Sequence, residues 1–187
     1  MKITEIETFL MPAAPANSGG WSARNWLFVK ISTDEGIYGL GEGSGWPRVV
    51  ETAVQDLKPL LIGEDPFHIE RLWQKMFVAM MGHGMTGVVG AGAQSAIDMA
   101  LWDLKGKALG VPVWNLLGGK IRDRVRIYAH AGTADRATAL VNQGYTALKT
   151  GGIDDVLQSV ESIRNAVGME IDLMVDLHGP PWLTTRD

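Results

Sequence analysis

Residues 93–119 read AQSAIDMALWDLKGKALGVPVWNLLGG. Apolar side chains at Ala93, Ala96, Ile97, Ala100, Leu101, Leu104 and Ala108 share one face of a helix. Gly110 and then Pro112 stand in the order of a C-cap followed by a breaker. A short second helix follows and ends at Gly118-Gly119. Physics alone makes this a well-punctuated helical hairpin that buries one stripe.

Working outward, the N-terminal side predicts an α+β unit. Residues 1–10 (MKITEIETFL) read as a strand, and the Pro-, Ala-, Gly- and Ser-rich stretch from Pro12 to Gly20 reads as a loop. WLFVKIS (26–32) and IYGLGE (37–42) flank Thr33-Asp34-Glu35-Gly36, a turn with Gly at its end, and so form a hairpin. Pro47 suits the first position of a helix running to about Leu60. Gly63-Glu64-Asp65-Pro66 starts another, through Trp73 and Met76, and a glycine-rich loop from Gly82 to Gly92 leads into the long helix. Trp73, Trp102 and Trp114, all on helices, are expected in the core. Asp103 and Lys107 form an i,i+4 pair on the surface.

From Arg124 the pattern changes. RVRIYAHAG, TALKTGG and IDLMVDLHG are short apolar or β-branched runs ending in polar residues and glycine, with helical segments at about 134–143 and 154–167 between them. Strand, helix, strand, helix, strand implies a parallel sheet, and the spacing fits the first three strands of a (β/α)8 barrel. In that fold functional residues sit at the C-terminal strand ends. Here those ends carry His130, Lys149, Asp176 and His178. The expected division is 1–122 for the α+β domain and 123–187 for the barrel strands.

Bulk properties narrow the function classes. The 187 residues, 46% hydrophobic and 20% charged, suit a soluble globular protein able to bury a real core. A net charge of −4 gives no footprint for nucleic acid. The absence of Cys excludes disulfides and thiolate metal sites. A strand at the very start predicts no secretory leader, and no apolar run has the length of a membrane span, so a cytoplasmic protein is expected. Two phosphate-binding readings fail. Gly90-Ala91-Gly92 has no preceding strand and no sixth-position Gly, and Trp114 occupies the first-glycine position that a P-loop ending at Gly119-Lys120 would need.

The wording of 93–119, of Val29–Glu42 (VKISTDEGIYGLGE) and of Val175–Gly179 resembles the mandelate racemase and muconate lactonising branch of the enolase superfamily, over the whole chain. That resemblance implies a capping domain over the open end of a barrel, with Mg²⁺ held by three carboxylates on successive strands. Asp176 matches the first of them. Without this context an Asp at such a strand end is most often a turn or cap residue. The two glutamates that would follow belong to the fourth and fifth strands. The family's common base lies in a Lys-x-Lys pattern on the second strand. Lys149 matches its first lysine, but Gly151 stands at the second, which argues against racemases and cycloisomerases that use that base.

Asp176-x-His178 resembles the acid-sugar dehydratases of the family, similar to galactonate dehydratases. There the histidine protonates a departing hydroxyl, a task its near-neutral pKa suits. Lys149 would neutralise the substrate carboxylate, and His130 reads as structural or as a support to the site. Trp21, Arg24 and Trp46 on the cap loops, and His83 in the glycine-rich loop, are the candidates for substrate contact. The implied reaction is loss of water from an aldonic or aldaric acid, with racemase, epimerase or cycloisomerase chemistry as the alternative. A small carboxylate substrate and self-association are the expected partnerships.

Thr184-Thr185-Arg186-Asp187 reads as the approach to a helix, and a barrel needs eight strands and about 250 residues. Only 64 residues run from Arg124 to Asp187. The expectation is part of a longer chain, or a fragment that by itself holds no Mg²⁺ tightly and turns nothing over.

Overall fold

Alternating apolar residues build a three-stranded antiparallel sheet in the order β1 (Ile3–Pro12), β2 (Asn25–Thr33) and β3 (Tyr38–Gly43). The computed structural model describes residues 1–12, 25–81, 87–152 and 155–177. Leu27, Val29 and Ile31 of β2 are fully buried, and their partners across the ladder are Gly43, Gly41 and Gly39. Helices α1 (Pro47–Leu61), α2 (Ile69–Met81) and α3 (Val88–Leu109) cover this face, and α4 (Val113–Leu116) follows.

The long helix was legible in its apolar stripe. Ala93, Ala96, Ile97, Ala100, Leu101 and Leu104 are all fully buried. Ile97, Leu101 and Leu104 each contribute roughly 1.5–3 kcal/mol by leaving water. Gly110 ends the helix in the left-handed region (φ 68°), where a Cβ would be strained. Glycine has a different use in β3. A Cβ built on Gly39 would lie 1.9 Å from Ala100 O, and one on Gly41 would lie 1.9 Å from Ala96 O. The helix backbone therefore rests directly on the strand backbone.

Asp103 seals the edge of this layer. Its carboxylate accepts from Leu40 N at 2.8 Å as well as from Lys107 Nζ, so the expected surface pair also satisfies an edge-strand donor. On the opposite side Ile3 N donates to Glu64 O (2.9 Å), and Glu64 Oε1 accepts from Lys75 Nζ (2.7 Å). That hydrogen bond, with the Arg71 and Lys75 charges, holds the Glu64 carboxyl below its ordinary range.

The contacts divide the chain into two compact units, Met1–Ile121 and Arg122–Asp187. The second contains β4 (Ala129–His130), α5 (Ala134–Asn142), β5 (Ala147–Gly151), α6 (Val156–Val167) and β6 (Asp172–Asp176). The strands pair in parallel in that order, with β5 between the other two. Ala131, Ala137, Leu140, Leu148 and Ile163 form its buried core. The architecture is an α+β capping domain followed by the first part of a (β/α)8 barrel.

Several local expectations need correction. The helix expected from Pro66 starts at Ile69, because Asp65 Oδ1 first accepts from Phe67 N (2.9 Å) and holds a turn. Helix α3 starts at Val88, so Gly90 and Gly92 lie inside it and not in a loop. At Gly92 a Cβ would meet Ser44 O at 2.7 Å, so close packing is the reason for that glycine. The strand read at 124–132 pairs only over Ala129 and His130. Trp73 and Trp114 are exposed, at 38% and 47%, and only Trp102 packs partly against the core. Trp73 lies beside the buried stripe of Ile69, Leu72, Met76 and Met80 and stacks on Phe77 at 5.3 Å.

Two outcomes test this account. Gly41→Ala is expected to lower stability by about 3 kcal/mol, since only backbone could move to admit the methyl, measured by chemical denaturation. A lowered carboxyl pKa contributes stability above the ordinary value near 4.3, and this contribution is lost as pH falls through the folded value. The melting-temperature gap between wild type and Glu64→Gln should therefore close on going from about pH 6 to pH 3.

Candidate active site

Strand alternation decides which side chains can meet. Leu148 and Thr150 of β5 are buried, at 0% and 1% exposure, so Lys149 and Gly151 project from the opposite face. In the parallel ladders Lys149 pairs with His130 of β4 and Met174 of β6, and Gly151 pairs with Asp176. Asp176 thus lies two pairs beyond Met174 in the same side-chain row, diagonal to Lys149. The two side chains join: Lys149 Nζ is 2.6 Å from Asp176 Oδ2, with the side chains 28% and 30% exposed.

The hydrogen bond to Asp176 raises the Lys149 ammonium above the ordinary lysine range, against a smaller opposing effect of desolvation. The Asp176 and Tyr128 charges add to the rise. Lys149 is therefore a standing cation at neutral pH. The Nζ also lies over the ring of Tyr128, 5.8 Å from its centroid. His130, exposed, precedes the Ala131 N–H that donates to Lys149 O at 2.8 Å.

Of the residues singled out from sequence, Lys149 and Asp176 are brought together. Trp46 stands in the first unit, where its carbonyl accepts from Val49 N and Val50 N (both 2.9 Å) to start α1 and its side chain is 70% exposed. Trp21, Arg24, His83 and His178 lie outside the described residues. Sequence reasoning passed over Tyr128, although its place two residues before His130 was a usable signal. It also passed over Arg126, which donates to Thr146 Oγ1 (3.0 Å), Thr146 O (2.7 Å) and Asp172.

A cleft of about 530 Å³ in this unit runs from Tyr128 and Met174 toward Arg126, Asp172 and Arg164. It follows the N-terminal ends of the strands, away from Asp176. For Mg²⁺, Asp176 has the right chemistry, a hard carboxylate oxygen at a strand end. Among the described residues no three His, Asp or Glu side chains gather as a ligand group. Asp176 therefore fits as one donor of a larger set.

If Asp176 holds up the Lys149 ammonium, removing its charge should make Lys149 a better nucleophile. Asp176→Asn is expected to speed acylation of Lys149 at pH 9 relative to the other lysines, followed by mass spectrometry of the Lys149 peptide.

Among the described residues, no helix is long and apolar enough to cross a membrane. Similarity to known proteins agrees with the fold and strand order. A D-galactonate dehydratase of Verminephrobacter eiseniae is 39% identical over 199 residues, covering 96% of this chain and 49% of that protein. One from Xanthomonas oryzae pv. oryzae is 40% identical with the same coverage. The chain spans about half the length of these curated relatives. The crystal structure of the 3,6-anhydro-D-galactonate cycloisomerase from Zobellia galactanivorans superposes with a TM-score of 0.82 at 36% identity, over 94% of this chain and 51% of that one. Residues 4–118 match the mandelate racemase / muconate lactonizing enzyme N-terminal domain, and the chain belongs to that family.

Proposed function

We propose that the protein is an acid-sugar dehydratase, a carbon–oxygen lyase that removes water from an aldonic or aldaric acid with the help of Mg²⁺. The observation that carries this reading is the Lys149–Asp176 pair at adjoining strand ends, beside a glycine at position 151. An ammonium at a strand end, as Lys149 presents, suits the neutralisation of a substrate carboxylate more than the abstraction of a proton. Gly151 has no side chain with which to abstract one. The similarity to D-galactonate dehydratases supports an aldonic acid as the substrate class.

In this reading residues 1–122 form the cap and 123–187 the first three barrel strands. Asp176 is one ligand of the Mg²⁺, which when bound stabilises the negative charge that develops as the proton beside the carboxylate is removed. The remaining carboxylates and the base come from later strands. Lys149 Nζ binds and orients the substrate carboxylate. His178 gives its proton to the C3 hydroxyl, so that the C3–O bond breaks and water leaves. The resulting enol becomes a 2-keto-3-deoxy acid. Trp21, Arg24, Trp46 and His83 contact the distal part of the substrate. A cytoplasmic homo-oligomer acting on small carboxylates, without nucleic-acid or membrane partners, belongs to the same reading.

The likeness to a cycloisomerase structure favours one second reading, isomerisation or racemisation on the same fold. A panel of aldonates and aldarates, galactonate included, separates the two. The full-length protein is expected to form a 2-keto-3-deoxy product with Mg²⁺ and to stop with chelator. Isomerised or racemised acid without any keto product would reject the dehydratase.

A further inference from the structure

We propose that Tyr128 is a positioning residue that, together with Asp176, holds the Lys149 ammonium in place for the substrate carboxylate. The inference rests on the role given to Lys149 above. Its ground is the placement of the three residues across the sheet.

β5 is the middle strand, and Lys149 stands on it with a neighbour on each side. From the β6 side Asp176 Oδ2 reaches Nζ at 2.6 Å. From the β4 side the Tyr128 ring lies 5.8 Å from Nζ, within the range of a cation–π contact. Tyr128 immediately precedes β4, whose His130 is the ladder partner of Lys149, and its ring lies on the Lys149 side. A lysine ends a flexible four-carbon stem, and fixing its rotamers has an entropic cost. The carboxylate draws the ammonium toward β6. A ring face on the other flank attracts the same cation from the β4 side without adding a second negative charge, so Nζ is held between the two strands where a substrate carboxylate would meet it.

An aromatic face is required here and a hydroxyl is not, so Tyr128→Phe should behave as wild type and Tyr128→Leu should not. With galactonate as the probe, Tyr128→Leu is expected to raise KM about two- to fivefold, the size of an exposed cation–π contact, while kcat stays within about twofold. A second measurement needs no turnover. The ε-methylene protons of Lys149 should carry an upfield ring-current shift by NMR, kept in Tyr128→Phe and lost in Tyr128→Leu. An unchanged KM in Tyr128→Leu, or an equal defect in Tyr128→Phe, overturns the inference while leaving the dehydratase intact. If wild type does not dehydrate galactonate, the dehydratase reading fails for that acid and the ring-current shift decides the inference. Its presence in wild type and its loss only in Tyr128→Leu would uphold the placement, and its absence from wild type would overturn it.

Discussion

The contact on which the first unit depends is backbone against backbone, β3 under α3. Every inward position of β3 is glycine, at 39, 41 and 43. The helix backbone at Ala96 and Ala100 comes so close to Gly41 and Gly39 that a Cβ on either glycine would lie 1.9 Å from a helix carbonyl oxygen. Such closeness lets β2 present Leu27, Val29 and Ile31 beside the glycine strip, and these fill the space a helix would otherwise bridge with long side chains. α1 and α2 then pack against a surface whose height the glycines have set. Asp103 belongs to the same arrangement, because only a helix that close can send a carboxylate to the Leu40 N–H of the edge strand.

The second unit solves a different problem. Among the described residues its first strand is paired over two residues, and its core cluster is Ala131, Ala137, Leu140, Leu148 and Ile163. Side-chain hydrogen bonds make up part of what the ladder lacks. Arg126 reaches Thr146 just before β5 and Asp172 at the start of β6, and so ties three segments together at the N-terminal end. Arg164 donates to Gly168 O and, at 2.7 Å, to Ile171 O, fixing the turn from α6 into β6. With that end tied, the C-terminal end is free to carry charge. There Lys149 and Asp176 pair across β5 and β6.

Periodicity made the elements legible and left their limits less so. The stripe from Ala93 to Leu104 announced α3, but its first five residues include Gly90 and Gly92 and look like loop until the close approach of Ser44 O to Gly92 is known. RVRIYAHAG has the composition of a strand, yet pairing depends on a neighbour's register, which no local pattern contains. Large aromatics misled for a related reason. Trp73, four residues after Ile69, lies only about 40° from it at the margin of the buried stripe of α2, and at that margin it is 38% exposed. At the site, position at the C-terminal strand ends singled out Lys149 and Asp176, and nothing along the chain paired them. Their 2.6 Å approach required the stagger between β5 and β6. Tyr128 escaped notice because its partner is across the sheet and not along the chain.

Gly151 shows how sequence and geometry constrain the chemistry jointly. It is the ladder partner of Asp176, and a Cβ there would lie 3.1 Å from Asp176 O and 3.7 Å from Asp176 Cβ. Any side chain at 151 would therefore crowd the rung that bears the carboxylate. Glycine leaves that rung open and removes a possible base in the same step. What remains on this face is a cation held by an acid and an aromatic ring. In the proposed dehydratase the proton transfers would then fall to histidines, whose ordinary pKa lies much nearer neutrality than that of a paired lysine. The lysine would be left with the single task of holding the carboxylate still.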